Sequence, residues 1–177
     1  EPVTQATLLS TGAFWGLSRA LSDARKYPAI DRIDSNSKYP SLLEEEEVAY
    51  LLELLRDGKT IASNIILMGE KGITDESYIR YQKSELLDAV FLQQNSFHEV
   101  DGVTHPKRLR LMFEMVQKII DAPVELQGKE KTRTHFNFLR QAFLDWNYMA
   151  PDDEGFEKQK TKLLNLVKKM VHVAENV

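Results

Sequence analysis

Two aromatic side chains, Tyr27 and Phe97, stand in irregular polar stretches of the sequence and outside its apolar stripes. Tyr27 begins a polar segment that runs to residue 38 and is predicted to be a loop. Pro28 biases the backbone of Tyr27 away from the helical region. Phe97 lies in a second irregular segment, residues 93–104. Two such rings would hold a planar base between them, and stacking on one base contributes about 1–3 kcal/mol. The alternative is that each ring fills a gap between helices, as aromatic side chains in protein cores do.

Signatures of other chemistry are missing from the sequence. It contains no G-x-x-x-x-G-K-[ST] phosphate loop, and His98-Glu99 is not followed by the second histidine of a zinc-binding H-E-x-x-H helix. The four histidines are scattered, so we interpret each as a surface or loop residue rather than a metal ligand. The absence of cysteine excludes disulfides and thiolate chemistry. The residues alone therefore favour no catalytic reaction.

The composition is that of a globular protein without a nucleic-acid partner. Its 177 residues suit one domain, with 42% hydrophobic and 28% charged residues. The formal net charge is −4, so no overall basic field attracts nucleic acid. No apolar run approaches the roughly 20 residues that cross a bilayer. The chain begins at Glu1 without a methionine, and we expect a processed chain or a piece of a longer one.

The first 40 residues predict a short extended arm followed by a short helix. Glycine and proline interrupt residues 1–17, where the segment Ala13-Phe14-Trp15 is expected to form a strand. No other clear β pattern exists in the chain, so this strand is expected to lack a partner. Ser18 is the predicted N-cap of a helix that ends near Lys26.

Helical patterns fill the rest of the sequence and predict an all-α fold, a bundle of five to six helices. Ser41 begins a capping-box spacing, and Asp57-Gly58 is expected to break or bend the helix that follows. Thr74 and Pro106 are expected to start two later helices. The segment after Gly58 predicts a mostly buried helix with four apolar residues: Ile61, Ile65, Ile66 and Met68.

Four separated segments are familiar together: EPVTQ at residues 1–5, AFWGL at 13–17, YPAID at 27–31 and FLQQNSFHEVD at 91–101. In this order they resemble the catalytic A (alpha) subunit of V-type and archaeal A-type rotary ATPases. The resemblance covers most of the chain and corresponds to the C-terminal part of that subunit. It implies that residues 1–40 are the tail end of a nucleotide-binding domain, with a short strand, a helix and an adenine-side loop. It also implies that residues 41–177 are the C-terminal helical bundle.

The resemblance implies part of an ATP synthase or ATPase that translocates protons or sodium ions. ATP or ADP, with Mg²⁺ in the full subunit, would be used by that subunit, whose hydrolysis and synthesis chemistry lies in an upstream domain. This fragment alone is expected to bind no Mg²⁺ and to be inactive. The implied partners are B (beta) subunits in an alternating A3B3 ring and the subunits of the central stalk. The implied location is the cytoplasmic side of the membrane, with only indirect membrane contact.

The resemblance further implies two sets of site residues. In the rotary ATPase families the aromatic residue before Pro-Ala and the phenylalanine after Gln-Gln-Asn-Ala/Ser line the adenine pocket. The matching residues here are Tyr27 and Phe97, with Ser96 and Gln94 beside them. The turn at residues 69–78 falls where the family presents a helix-loop-helix to the rotating stalk, and the candidate contacts are Ile73, Asp75 and Glu76.

A competing interpretation is a stand-alone helical protein-protein interaction module that binds no nucleotide. The strand at residues 13–15 bears on this choice, because a strand packed within a complete core favours the module and an orphan edge favours a larger α/β body. The equivalent subunit of an F-type synthase is disfavoured, since the segment at residues 91–101 resembles the V/A type.

Overall fold

The structure is a computed structural model of the chain and describes residues 13–27, 29–37, 44–93, 95, 97–101, 106–126 and 128–171. The chain falls into two compact units, Glu1–Arg56 and Asp57–Val177. Helices dominate the described residues, and the sheet among them has two strands. The prediction of an all-α fold with a short extended arm near the N-terminus is confirmed.

The first unit contains an antiparallel strand pair that the sequence did not predict. Strand β1 (Ala13–Leu17) is followed by helix α1 (Arg19–Asp23) and then by strand β2 (Ile30–Ser37), which pairs with β1. The expectation that β1 lacks a partner is therefore wrong. The pairing register shifts between Phe14 and Gly16, so β2 carries extra residues opposite this point.

The polar residues of β2 explain why it was predicted to be a loop. The Ile33 N–H donates to Asp31 Oδ1 at 3.0 Å, and the Gly16 N–H donates to Ser35 Oγ at 3.0 Å. The Ser35 hydroxyl in turn donates to the carbonyl of Asp31. The two bonds within β2 are local side chain–backbone bonds of the kind expected in a loop, but together with the bond from Gly16 on β1 they stabilise an irregular strand.

Helix α2 (Glu45–Met68) is one continuous helix of 24 residues. The predicted break at Asp57-Gly58 is wrong, because the helix continues through Gly58, where the glycine allows a close approach of Ser84. A Cβ at position 58 would lie 2.0 Å from Ser84 Oγ, so glycine is the residue that fits there. At its start, the Glu47 carboxylate accepts the Glu44 N–H at 3.0 Å, which satisfies one free donor of the first turn.

The other helix starts follow the sequence closely. Ser18 and Thr74 are N-caps whose hydroxyls each accept a backbone N–H three residues on, as predicted. Pro106 is the first residue of its helix, also as predicted. Ser41, the predicted capping-box residue, lies outside the described part of the chain. The remaining elements are a 3₁₀ turn (Glu70–Gly72) and helices α3 (Asp75–Leu87), α4 (Pro106–Asp121), α5 (Lys129–Asn147) and α6 (Phe156–Val171).

Helix α5 is the central element of the second unit. It packs against α6, against α3 and against a π-helical segment (Asp88–Leu92) that prolongs α3. Its buried face runs along its whole length and carries Thr132, Phe136, Leu139, Ala142, Phe143, Trp146 and Asn147. Burying each large apolar side chain contributes about 1.5–3 kcal/mol, so this face holds the bundle together.

Candidate functional site

Tyr27 directly follows the residues that cap the C-terminal end of α1. The Lys26 N–H donates to the carbonyl of Leu21 and the Arg25 N–H to that of Ser22, each at 2.9 Å. Arg25 has a φ of 56°, so these bonds form a Schellman motif with a left-handed residue at its usual position. The side chain of Tyr27 is 55% exposed, so its ring is presented to the surface rather than filling a gap in the core.

Phe97 is 99% exposed, although the backbone that carries it is well held. The Phe97 N–H donates to Asn95 Oδ1 at 3.1 Å, and the His98 N–H donates to the Asn95 carbonyl at 3.0 Å. The Asn95 N–H donates to Asp101 Oδ2 at 2.7 Å. We call residue 95 and residues 97–101 the Phe97 loop. An aromatic ring in open solvent on a hydrogen-bonded turn is suited to contact with something outside the chain.

A buried arginine holds the backbone of the Phe97 loop. Arg108, on α4, is buried, and its guanidinium donates to the carbonyl of Val100 at 3.4 Å and to the carbonyl of Asn147. Burial lowers the pKa of Arg108, and the charge of the buried Asp101 opposes that shift. The arrangement fits the rule that buried charges need partners, since an isolated one would be costly.

The C-terminal end of α5 is the second support of the Phe97 loop. The Asn147 side-chain amide donates to the carbonyl of Val90 at 2.8 Å, within the π-helical segment. The next residue, Tyr148, stacks on His98 with ring centroids 4.3 Å apart and planes 28° apart. The His98 ring also accepts the Val100 N–H at Nδ1, at 3.3 Å. The residue after Phe97 is therefore fixed to the end of α5.

The turn between α2 and α3 is held in a similar way by the N-terminal end of α5. Gly69 has a φ of 74°, a backbone conformation that favours glycine. This conformation connects the end of α2 to the 3₁₀ turn. The Lys129 ammonium donates to the backbone carbonyls of Glu70 and Ile73. Arg133, one turn further along α5, pairs with the Glu70 carboxylate and donates to the Tyr78 hydroxyl at 3.0 Å. We call residues 69–74 the tip turn.

Comparison with curated proteins identifies the chain's relatives. It is 43% identical over 168 residues to the V-type ATP synthase alpha chain of Borrelia hermsii, which covers 95% of this chain and 29% of that protein. It is 43% identical over 160 residues to the alpha chain of Treponema denticola, covering 90% and 27% of the two chains. Alpha chain 1 of Treponema pallidum is 42% identical over 161 residues. This chain is a relative of the V-type ATP synthase alpha chains.

The chain spans less than a third of the length of the alpha-chain relatives given above. No family model matches it. The resemblance seen in the four sequence segments is thus confirmed by identity along nearly the whole chain.

Of the four residues that the alpha-chain resemblance assigns to adenine, the structure describes two. Tyr27 and Phe97 are both exposed, which suits contact with a ligand, but they belong to different compact units. Their pairing around a base stays a prediction. Gln94 and Ser96 lie outside the described residues.

The candidate stalk contacts lie on or beside the tip turn. Asp75 and Glu76 are exposed in the first turn of α3, where the helix dipole favours acidic side chains. Ile73 is half-buried, and its carbonyl is occupied by Lys129. Their role in alpha chains as stalk contacts stays a prediction.

The structure adds an apolar surface at the end of α2, two residues of which were predicted to be buried. Ile66 is 84% exposed, Leu67 81% and Met68 58%, at the end of α2 beside the tip turn. The prediction of a mostly buried helix is therefore wrong for Ile66 and Met68, while Ile61 and Ile65 are half-buried. The sequence already indicated that part of this segment is exposed, because successive helical residues are about 100° apart and four consecutive apolar residues cannot all face one core.

No group of three or more possible metal ligands occurs among the described residues. Within the same residues, no helix is both long enough and apolar enough to cross a membrane.

Proposed function

We propose that the chain is the C-terminal part of the catalytic alpha chain of an ion-translocating V-type ATP synthase or ATPase. In it, residues 1–40 end the nucleotide-binding domain and residues 41–177 form the helical bundle. Phe97 carries the proposal, because its ring is almost fully exposed on a firmly held loop inside a segment that resembles the family's adenine motif. The identity of 43% to alpha chains supports the same assignment.

The proposed role of the first site is to hold adenine. Tyr27 and Phe97 present their rings to the base, and Gln94 and Ser96 lie beside it as polar neighbours. Stacking and dispersion would supply the affinity, since each good base–aromatic contact contributes about 1–3 kcal/mol. The phosphates of ATP and their Mg²⁺ would be bound by the rest of the subunit, where the chemistry of hydrolysis or synthesis would occur. The role of this chain is positioning.

The proposed role of the second site is contact with the central stalk. The tip turn supplies Ile73, and the first turn of α3 supplies Asp75 and Glu76. The end of α2 supplies the exposed apolar residues Ile66, Leu67 and Met68. Consecutive exposed apolar residues at a helix end are typical of protein contact surfaces. The acidic side chains beside them would add orientation and specificity through charge.

The proposed mechanism connects the two sites. Nucleotide binding draws the adenine-facing residues toward the base, and the bundle swings as a lever and pushes the stalk. Binding energy drives this motion only if the contacts differ between the open and closed states. B (beta) subunits in an A3B3 ring and the central stalk subunits are the proposed partners. The proposed location is the cytoplasmic face of the membrane, in the peripheral head of the complex.

The test is Phe97→Ala in the full-length alpha chain assembled into its ring. We expect ATP affinity to fall about fivefold or more, because a base contact of about 1 kcal/mol or more is lost. Phe138→Ala is the matched control, since Phe138 is also an exposed phenylalanine, on α5. Equal ATP affinity for the Phe97 variant and its parent would contradict the proposal.

The alternative of a stand-alone interaction module accounts for the apolar surface at residues 66–68 but predicts no base-dependent binding. The 177-residue chain by itself should show no ATP turnover under either proposal. Turnover by this chain that disappears on changing Tyr27 would contradict both.

A further inference from the structure

We infer that Arg108 is a positioning residue for the base, because its guanidinium joins the Phe97 loop to the end of α5 and thereby fixes where Phe97 is presented. The inference rests on the proposed adenine-binding role of Phe97. Arg108 itself is buried whereas the Phe97 ring is almost fully exposed, so the action of Arg108 on the base would be indirect.

The contacts of Arg108 connect three segments of the second unit. One terminal nitrogen reaches the carbonyl of Val100 in the Phe97 loop at 3.4 Å, and the other donates to the carbonyl of Asn147 at the end of α5. The Asn147 side chain continues the connection to Val90 in the π-helical segment. The backbone of the loop is thus tied to two helices at once.

A second path leads from the same arginine to the aromatic residue. The charge of Asp101 acts on Arg108, and Asp101 Oδ2 accepts the N–H of Asn95. Asn95 Oδ1 then accepts the N–H of Phe97. The steps beyond Asp101 are hydrogen bonds within the described part of the second unit, and the step from Arg108 to Asp101 is an attraction between opposite charges. Displacing the guanidinium would therefore loosen the backbone of Phe97 without removing any atom of its ring.

Lysine is the informative replacement. Arg108→Lys keeps a positive charge opposite Asp101, but one ammonium group lacks the planar fork that spans two carbonyls. We expect the loop to lose one of its supports while the bundle remains folded. A second variant, Arg108→Met combined with Asp101→Asn, removes both buried charges together and leaves neither one unpaired. Arg110→Lys is the matched control, because Arg110 lies on the same helix, is more exposed and pairs with Glu114.

The experiment compares two ligands in the assembled full-length alpha chain: Mg²⁺-ATP, and Mg²⁺-tripolyphosphate, which has no base. We expect Arg108→Lys and the double variant to weaken ATP binding about fivefold or more and to leave tripolyphosphate binding within twofold. Arg110→Lys should change neither affinity. Circular dichroism and thermal unfolding verify that each variant is folded.

Three results would overturn the inference: unchanged ATP affinity, an equal loss for both ligands, or loss of the folded state in both variants. The last two would mean that Arg108 serves only the stability of the bundle. Failure of the proposed function looks different, because ATP affinity would then be unchanged in Phe97→Ala as well. If Phe97→Ala weakens ATP binding and Arg108→Lys does not, the adenine site stands and the role of Arg108 is rejected.

Discussion

The ammonium group of Lys129 donates a hydrogen bond to the backbone carbonyl of Ile73, a residue 56 positions earlier in the chain. The same group donates to the carbonyl of Glu70, so one side chain satisfies two acceptors of the tip turn. Backbone carbonyls in such a turn lack helix partners, and a charged donor is a strong substitute. The shape of the tip turn therefore depends on α5 as much as on its own sequence.

Lys129→Met should destabilise the chain by about 1–3 kcal/mol, because hydrogen bonds from a charged donor to two carbonyls are lost. Urea denaturation monitored by circular dichroism measures this free energy of unfolding. Lys131→Met is the control, since Lys131 is exposed on the same helix and should change stability by less than about 0.5 kcal/mol. Equal effects from the two substitutions would show that the contact of Lys129 is unimportant.

Gly58→Ala should destabilise the chain even though alanine is the better helix former by about 1 kcal/mol. The added Cβ would lie 2.0 Å from Ser84 Oγ and 2.5 Å from Ser84 Cβ, so α2 and α3 would have to move apart. Overpacking of this kind costs about 1–3 kcal/mol. Thermal unfolding measures the effect, and adding Ser84→Gly, which removes both clashing atoms, should restore part of the loss. A more stable Gly58→Ala variant would contradict the prediction.

The stability of the bundle should fall as the solution is acidified past about pH 6.5, partly through His135. Its Nε2–H donates to the carbonyl of Leu166 at 3.0 Å. Burial lowers the pKa of His135 below its ordinary value of 6.5; the Leu166 carbonyl opposes this shift and the Lys169 charge adds to it. As the pH falls, His135 is therefore protonated at a higher pH in the unfolded chain than in the folded chain. The contribution of His135 is fully present above pH 6.5 and is lost as the pH falls through the folded-state pKa.

Urea denaturation of the parent and of His135→Gln at several pH values between 5 and 8 measures this contribution. Glutamine can still donate to Leu166 but does not titrate, so part of the pH dependence should disappear. One proton limits the missing slope to about 1.4 kcal/mol per pH unit. Identical slopes for the two proteins would exclude His135 as a source of acid sensitivity.

Leu67→Ser should leave stability within about 0.5 kcal/mol of the parent, because the side chain is largely exposed. Leu86→Ala should cost about 2–5 kcal/mol, because that leucine is fully buried in α3. In the assembled complex, Leu67→Ser should nevertheless weaken binding of the central stalk. A calorimetric titration of stalk subunits into the ring measures this loss, and unchanged affinity would remove Leu67 from the proposed contact.

Helix starts were predictable from the sequence because their causes are local. Ser18 and Thr74 cap helices through their own hydroxyls, and Pro106 begins one because its ring suits the first turn. The helical patterns after residue 40 likewise predicted the bundle to which α5 and α6 belong. Local preference and the pattern of burial agree in these segments.

The errors arose where distant residues decide the outcome. The position of Gly58 against Ser84 depends on the packing of two helices, and local propensity alone read it as a break. Strand β2 was missed because its polar residues bond to their own backbone within a bulged pairing with β1. The supports of the Phe97 loop, Arg108 and Asn147, lie 39 residues apart in sequence and gave no signal as a pair.

Helix α5 fixes the spacing between the tip turn and the Phe97 loop. Lys129, the first residue of α5, holds the tip turn. Asn147 and Tyr148, at the other end of α5, support the Phe97 loop. Eighteen steps of about 1.5 Å place these two anchors roughly 27 Å apart along a helix that contains neither glycine nor proline. Lengthening or shortening α5 by one turn would therefore change that separation by about 5 Å while both anchoring sets of side chains remain intact.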